Sequence, residues 1–293
     1  MIAGLISNPL LTKPPNTPSI NPLFKLARFI SLNSANLYIK MIRMPNSIAI
    51  KTIGLTKEFV RNKRVIDDVN LNIKKGELFC LIGSNGAGKT TLIKILCNLI
   101  LPTKGDIFIN GCNVLHEPEK VRSFIGLVTG DERSFYWRLT GRQNMEFFAA
   151  LYNLSSEVKD VRIKELFKVL DIKEPDKVFQ EYSSGIKQKL SIARALLNDP
   201  AVLFMDELTK NLDPTSANDL RSFIKEKLIG NHNKTVVFST HHLQEVEYLA
   251  DRIAFMVKGR IVATGTIEEL RGIIGRRDAT IEQIYNYFID KKG

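Results

Sequence analysis

Gly83-Ser84-Asn85-Gly86-Ala87-Gly88-Lys89-Thr90 places three glycines, a lysine and a hydroxyl residue in the order G-x-x-x-x-G-K-S/T, a phosphate-binding pattern matched at every position. Gly83, Gly86 and Gly88 can take backbone angles that side chains forbid, so successive N–H groups can turn inward around an anion. Lys89 adds a point charge suited to β- and γ-phosphates, and the Thr90 hydroxyl is a hard oxygen ligand for Mg²⁺. The expected ligand is a nucleoside triphosphate. A chance glycine-rich turn is the bland alternative, and the local context weighs against it: an apolar run, Glu77 to Ile82, precedes the loop, and Thr90 to Asn98 reads as a helix after it.

A second group of chemistry-bearing residues lies far downstream. Ala201-Val202-Leu203-Phe204-Met205 is an apolar run ending in Asp206-Glu207. A buried parallel strand delivers its C-terminal residues to a ligand crevice, where Asp206 could hold Mg²⁺ through water and Glu207 could orient or deprotonate an attacking water. Standing alone, the pair would read as solvated acids at a strand end. Tyr182-Ser183-Ser184-Gly185-Ile186-Lys187-Gln188 offers a small-residue turn opening a helix, a second place where backbone N–H groups could meet phosphate. Thr235 to His242 reads as a buried strand ending in His241 and His242, and a histidine there could contact a γ-phosphate. Taken singly, the turn is a helix cap and either histidine a surface residue.

The elements that must position these groups alternate. Ile48–Ile53 and Val69–Ile73 read as strands, the second with Val69, Leu71 and Ile73 on one face, and Asp106–Asn110 as another strand of an antiparallel flap. The middle turns helical. Thr140 and Gln143 form a capping box, and Ser155 or Ser156 caps a further helix. Helix (Gly185–Leu197), strand (Ala201–Met205), helix with Asp213 as cap and Pro214 first, strand (Thr235–Ser239) and helix (Leu243–Ala250) come next. That order predicts an α/β fold with a parallel sheet and helices on both faces.

In this order the segments resemble the nucleotide-binding domain of ATP-binding cassette (ABC) proteins, over about residues 47–270. The resemblance implies a P-loop NTPase (RecA-like) core with an antiparallel β flap and a helical subdomain at about 115–190. Walker A is Gly83 to Thr91, which adds Thr91 to the expected ATP-binding set. The signature LSGGQ appears as Tyr182 to Ile186, implicating Ser183 and Gly185 in nucleotide contact. Walker B is Val202 to Glu207, the D-loop is Asn211-Leu212-Asp213, and the switch histidine matches His241. Phe59 stands where the family places an aromatic ring against adenine; a flap or core aromatic is the competing reading. By resemblance Lys89, Glu207 and His241 are catalytic, and Thr90 and Asp206 hold Mg²⁺.

Departures from the family pattern carry information. The Q-loop glutamine should come after Phe124–Val128, where Thr129-Gly130-Asp131-Glu132 stands instead. Asp131 or Glu132 could substitute as acceptor, or be a solvated loop acid. Ser184 and Ile186 replace a glycine and a glutamine, a variant of exporter-type cassettes that pair with a separate membrane protein. Leu208 replaces a proline, and Lys210 occupies a usually small position. In the family ATP is sandwiched between the P-loop of one domain and the signature serine of another, so one copy of each motif implies a homodimer or heterodimer. The resemblance thus implies an ATPase subunit, peripheral on the cytoplasmic face of a membrane, driving a separately encoded permease. Ser134-Phe135-Tyr136-Trp137-Arg138 comes just after the Q-loop region where the family docks that partner, with a buried aromatic cluster as the alternative. The alternative functions are a non-transport cassette acting on ribosomes or DNA, which would carry two cassettes or a coiled-coil insert, and a P-loop kinase with an acceptor lid.

Composition bounds the rest. The 293 residues, 44% hydrophobic, can bury a substantial core. Of the net charge of +11, residues 1–43 contribute +5 with no acid, and the mildly basic remainder has no groove-reading motif, so no nucleic-acid partner is expected. Cys80, Cys97 and Cys112 lie in or beside apolar segments without metal-ligand spacing and read as reduced core residues. No stretch reaches the length of a spanning helix. Residues 1–46 are expected to stand outside the fold: five of the eleven prolines fall in the first 22 residues, and residues 23–43 are basic. A start at Met41 or Met44, a targeting segment and a membrane-surface helix compete there, the first or a disordered tail being favoured. Residues 47–275 form the expected ATPase domain. Within 276–293, Ala279–Lys292 predicts an amphipathic helix with Ile281, Ile284, Tyr285 and Phe288 on one face.

Overall fold

The computed structural model describes residues 48–60, 63–130, 134–207, 209, 212–229 and 234–292. The expectations for residues 1–46, Asp131, Glu132, Leu208, Lys210 and Asn211 lie outside the described residues.

The site rests on a six-stranded sheet. Its strands are β3 (Leu78–Ile82), β6 (Ile125–Thr129), β7 (Val202–Asp206), β8 (Thr235–Thr240), β9 (Arg252–Val257) and β10 (Arg260–Gly265), in spatial order β10-β9-β3-β8-β7-β6. The five from β9 to β6 run parallel, and β10 closes one edge antiparallel to β9. Parallel strands buried on both faces need side chains that suit two cores, and Leu-Phe-Cys-Leu-Ile in β3 meets that need: all five residues are buried. Leu78, Cys80 and Ile82 enter one core and Phe79 and Leu81 the other. The three cysteines are free and buried, as their apolar settings predict.

The antiparallel flap is a second sheet of order β2-β1-β4-β5, built from β1 (Ile48–Val60), β2 (Lys63–Lys74), β4 (Lys104–Ile109) and the short β5 (Cys112–Asn113). Strict alternation in β2 buries Val69, Leu71 and Ile73 and leaves Asn70 and Asn72 outside. β1 runs on past the expected Ile53, because register shifts beyond Thr52 let it stay paired with β2 to Val60.

Helices cover both faces of the main sheet. α1 (Lys89–Leu96) packs Leu92, Ile93, Ile95 and Leu96 into the core shared with the flap. α2 (Pro118–Phe124) leads into β6. α3 (Gly141–Leu151), α4 (Ser156–Val169) and α5 (Ser184–Leu196) contribute to the opposite core. The Thr140–Gln143 capping box forms as expected, and of the two serines it is Ser155 that caps α4. α6 (Pro214–Phe223), capped by Asp213, passes into a π-helical stretch over Ile224–Ile229. α7 (Leu243–Leu249), α8 (Ile267–Ile274) and α9 (Ile281–Lys292) complete the chain. α9 buries Ile281, Ile284 and Phe288, the last ring 5.5 Å from Phe255 of β9, at roughly 1.5–3 kcal/mol per side chain.

Candidate active site

Parallel strands of one sheet bring their C-terminal ends to one edge, and the functional residues sit where these strands stop. In β-register Ile82 pairs with Thr240, Asp206 with Ser239, and Thr129 with Asp206. The glycine loop after Ile82, the acids at Asp206-Glu207 and the histidines after Thr240 therefore share one rim.

The loop is shaped by what side chains would not permit. At Gly83 a Cβ would run into the Met256 carbonyl oxygen, and at Gly88, with φ +108°, it would lie 2.7 Å from the Val65 carbonyl oxygen. Gly86, at φ +81°, faces open space, so conformation alone demands glycine there. The Ala87 N–H donates to Ser84 O, and the Gly259 N–H donates to Ala87 O, tying the loop to the β9–β10 turn. Ser84, Asn85, Gly86 and Thr90 are exposed, Thr91 is partly covered and Ala87 is buried.

Lys89 opens α1 with its chain 5% exposed, and Nζ donates to the carbonyls of Gly83 at 2.6 Å and Ser84 at 3.1 Å. Burial pushes this ammonium below its ordinary value, against the carboxylates of Glu207 and Asp206, which favour the charge. A buried cation at a helix N-terminus lined with glycine N–H groups is a receptor for a polyanion.

The acids are bracketed by a residue that sequence reasoning missed. Ser239 Oγ donates to Asp206 Oδ1 at 2.5 Å and accepts from the Glu207 N–H at 3.1 Å, while Ser239 O accepts from the same N–H at 3.2 Å. The only signal was a serine two places before His241 in a buried strand. Glu207 has φ +49°, a left-handed conformation uncommon outside glycine, which turns the chain sharply after Asp206. Its Oε1 lies 3.7 Å from His241 Nδ1. The His241 and His242 rings are 4.1 Å apart, and His242 serves as the α7 N-cap.

The donor set fits a nucleotide-bound Mg²⁺. Asp206 and Thr90 supply hard oxygens, and among the described residues no cluster of three or more His, Cys, Asp or Glu forms a cage. A hard cation at this rim would thus take further ligands from phosphate and water, as Mg²⁺ commonly does.

Ser183 and Gly185 are not brought to this rim by α1's face of the sheet. Ser183 caps α5, accepting from the Ile186 N–H at 3.4 Å, and is exposed; Gly185 packs on Ser216 at the start of α6. α5 belongs to the core opposite the one that holds α1. Phe59 is 56% exposed near the turn end of the β1–β2 hairpin, where Val60 pairs with Lys63, with Lys57 Nζ 4.9 Å from its ring centroid, so it stands on the flap outside the core. The β2 strand beside it supplies Val65, which abuts Gly88. At the last residue of β6, Thr129 O accepts from Ser191 Oγ. The aromatic run divides: Phe135 is buried and stacks on Phe179 at 4.6 Å, whereas Tyr136 and Trp137 are 51% and 49% exposed.

The family model described as ABC transporter matches residues 66–210. The chain is 35% identical over 219 residues to the ABC transporter ATP-binding protein NatA of Bacillus subtilis (strain 168), spanning 73% of this chain and 88% of that relative. With the daunorubicin resistance ATP-binding protein DrrA3 of Streptomyces coeruleorubidus it shares 36% identity over 228 residues, 78% of this chain and 71% of the relative. Among solved structures, a dimeric ATP-binding cassette in a post-hydrolysis state, bound to ADP and Pi, matches with a TM-score of 0.67 at 27% identity, over 74% of this chain and 98% of that one. The loop, acid and histidine geometry and these likenesses agree, and the chain belongs to the ABC transporter family as an ATP-binding subunit that hydrolyses ATP.

Proposed function

We propose that this subunit drives a separately encoded membrane permease, in the direction of export, by pairing two cassettes around ATP and Mg²⁺ and separating them after hydrolysis. The observation that carries the reading is the gathering of Lys89, Asp206, Glu207 and His241 at one strand rim while Ser183 caps a helix on the other face of the sheet. A second copy can complete the site with its own Ser183 and the N–H groups behind it. Burying the nucleotide between copies strengthens each electrostatic contact, and loss of the γ-phosphate removes the charge that bridges them.

Within the site, the loop from Gly83 to Thr91 cradles the phosphates, Phe59 stacks on the base, and Thr90 and Asp206 hold the cation. Glu207 takes the proton of the attacking water, and His241 contacts the γ-phosphate. Mg²⁺ supplies charge neutralisation of the transferring phosphoryl group.

No helix among the described residues is long and apolar enough to cross a membrane, which supports a peripheral position with the permease as partner. The drug-resistance name of one relative and the Ser184 and Ile186 signature variant support export. Glu207→Gln is the direct test of the base. It should bind ATP near wild-type affinity, hydrolyse it about 10²- to 10⁴-fold more slowly, the usual weight of a general base, and accumulate as an ATP-bound dimer in size-exclusion chromatography. Wild-type turnover with no dimer would refute the assignment.

A further inference from the structure

A buried polar cluster lies behind the catalytic rim and takes no part in the chemistry above. Glu245, on α7 four residues after His241, is only 2% exposed. Its Oε1 accepts from the hydroxyl of Thr209, itself buried two residues after Glu207, and from Arg221 Nη2 of α6 at 3.3 Å. Arg221 Nη1 donates to Asn218 Oδ1 at 2.7 Å, while its buried Nε has no hydrogen-bond partner among the described residues. Thr209 O accepts from the Leu212 N–H in the turn that leads to α6, and the Glu245 N–H donates to His242 O.

As a stabilising device this arrangement is poor. A buried ion pair roughly breaks even against packed apolar side chains, and a guanidinium with one buried unsatisfied N–H does worse. As a spacer it is well placed. One carboxylate joins the segment carrying Glu207 to the helix after His241, and the arginine on α6 hydrogen-bonds the same carboxylate in a buried setting. Ser239 fixes the backbone of Glu207 from one side, and the Glu245 carboxylate holds the chain just after Glu207 from the other.

We infer that Thr209, Glu245 and Arg221 form a positioning network that sets the spacing between Glu207 and His241, 3.7 Å apart at their nearest polar atoms. The inference rests on the reading of Glu207 as base. Thr209 is the residue to vary, because removing Glu245 or Arg221 strands a buried charge and endangers the fold. Thr209→Val keeps shape and burial and deletes only the hydroxyl. It should lower kcat about tenfold, the weight of one hydrogen bond to a charged group, with KM for ATP and the melting temperature near wild type. Thr209→Ser, which restores the donor, should recover most of that loss. In a Glu207→Gln background the valine should change residual turnover by less than about twofold, because residues acting as a unit are not additive. A kcat for Thr209→Val within about twofold of wild type overturns the proposal, since one charged hydrogen bond is worth more than that. Equal impairment of the serine and valine variants, or full additivity with Glu207→Gln, overturns it too. Glu207→Gln measured alongside separates the two readings: loss of turnover there with an unimpaired valine variant defeats the network alone, and wild-type turnover there defeats the base assignment and the network with it.

Discussion

Lys89 shows how one residue can be both exact in place and adjustable in charge. Its ammonium is held among carbonyls inside the glycine loop, and burial lowers its proton affinity below the ordinary 10.5. The protonated form attracts triphosphate, and bound phosphate returns the affinity that burial removes. ATP binding should therefore weaken as pH rises through the lowered Lys89 value, at a pH below 10.5. Calorimetric titration across alkaline pH checks this. Lys89→Met should bind about ten- to hundredfold more weakly and lack that pH step, the range expected for a charge-assisted contact. A wild-type affinity flat to pH 10.5 would remove the lysine from the phosphate contact. At this scale the loop, the acids and the histidines were legible in the sequence because each comes directly after a contiguous apolar strand. Ser239, Thr209, Glu245 and Arg221 were not, because their roles come from contacts between segments that the sequence does not align.

Elements transmit that placement, and the joint between α5 and β7 shows how. Asp199 bonds Lys234, ahead of β8, at 2.8 Å and Arg162 of α4 at 3.0 Å. Burial works to raise its carboxyl, but the Lys234 hydrogen bond and the charges of Lys234 and Arg162 hold it below the usual carboxylate range. A depressed folded-state value stabilises the fold above the unfolded value, about 3.9, and the contribution is lost as pH falls through the folded one. Asp199→Asn retains a residue that tolerates the local φ of +47° while removing the charge. It should cost about 1 kcal/mol at neutral pH, discounted for the partial exposure of Asp199, and the deficit should close below about pH 4 in urea titrations. A deficit independent of pH would show that the charge is not its source. Apolar runs and capping signals located β3, β7, β8, α3 and α5 and the second half of β2, whereas β9, β10, α2 and α8 were not read from the sequence. The length of β1 was not legible, since its bulges are set by pairing with β2, nor was the inward turn of Phe135 beside the outward Tyr136 and Trp137, since adjacent aromatics carry no period.

For the whole molecule, the exposed Tyr136 and Trp137 form the surface we assign to the permease, carried by the buried rings of Phe135 and Phe179 with the half-buried Phe148 against them. Large aromatic side chains dominate contacts of this kind. Trp137→Ala should leave ATP hydrolysis by the isolated subunit unchanged and reduce recovery of the membrane partner in a pull-down at least about tenfold, a hot-spot loss. Recovery at full strength would place the interface elsewhere. The two faces of the main sheet set the larger problem: α1 and the P-loop belong to one, and Ser183 at the head of α5 to the other. A second copy is what the site needs. The most direct measurement is a crystal structure of Glu207→Gln with Mg²⁺ and ATP. The expected result is a γ-phosphate held by Lys89 of one copy and touched by the Ser183 turn of its partner; Ser183 remote from γ-phosphate in every assembly of that crystal would contradict it.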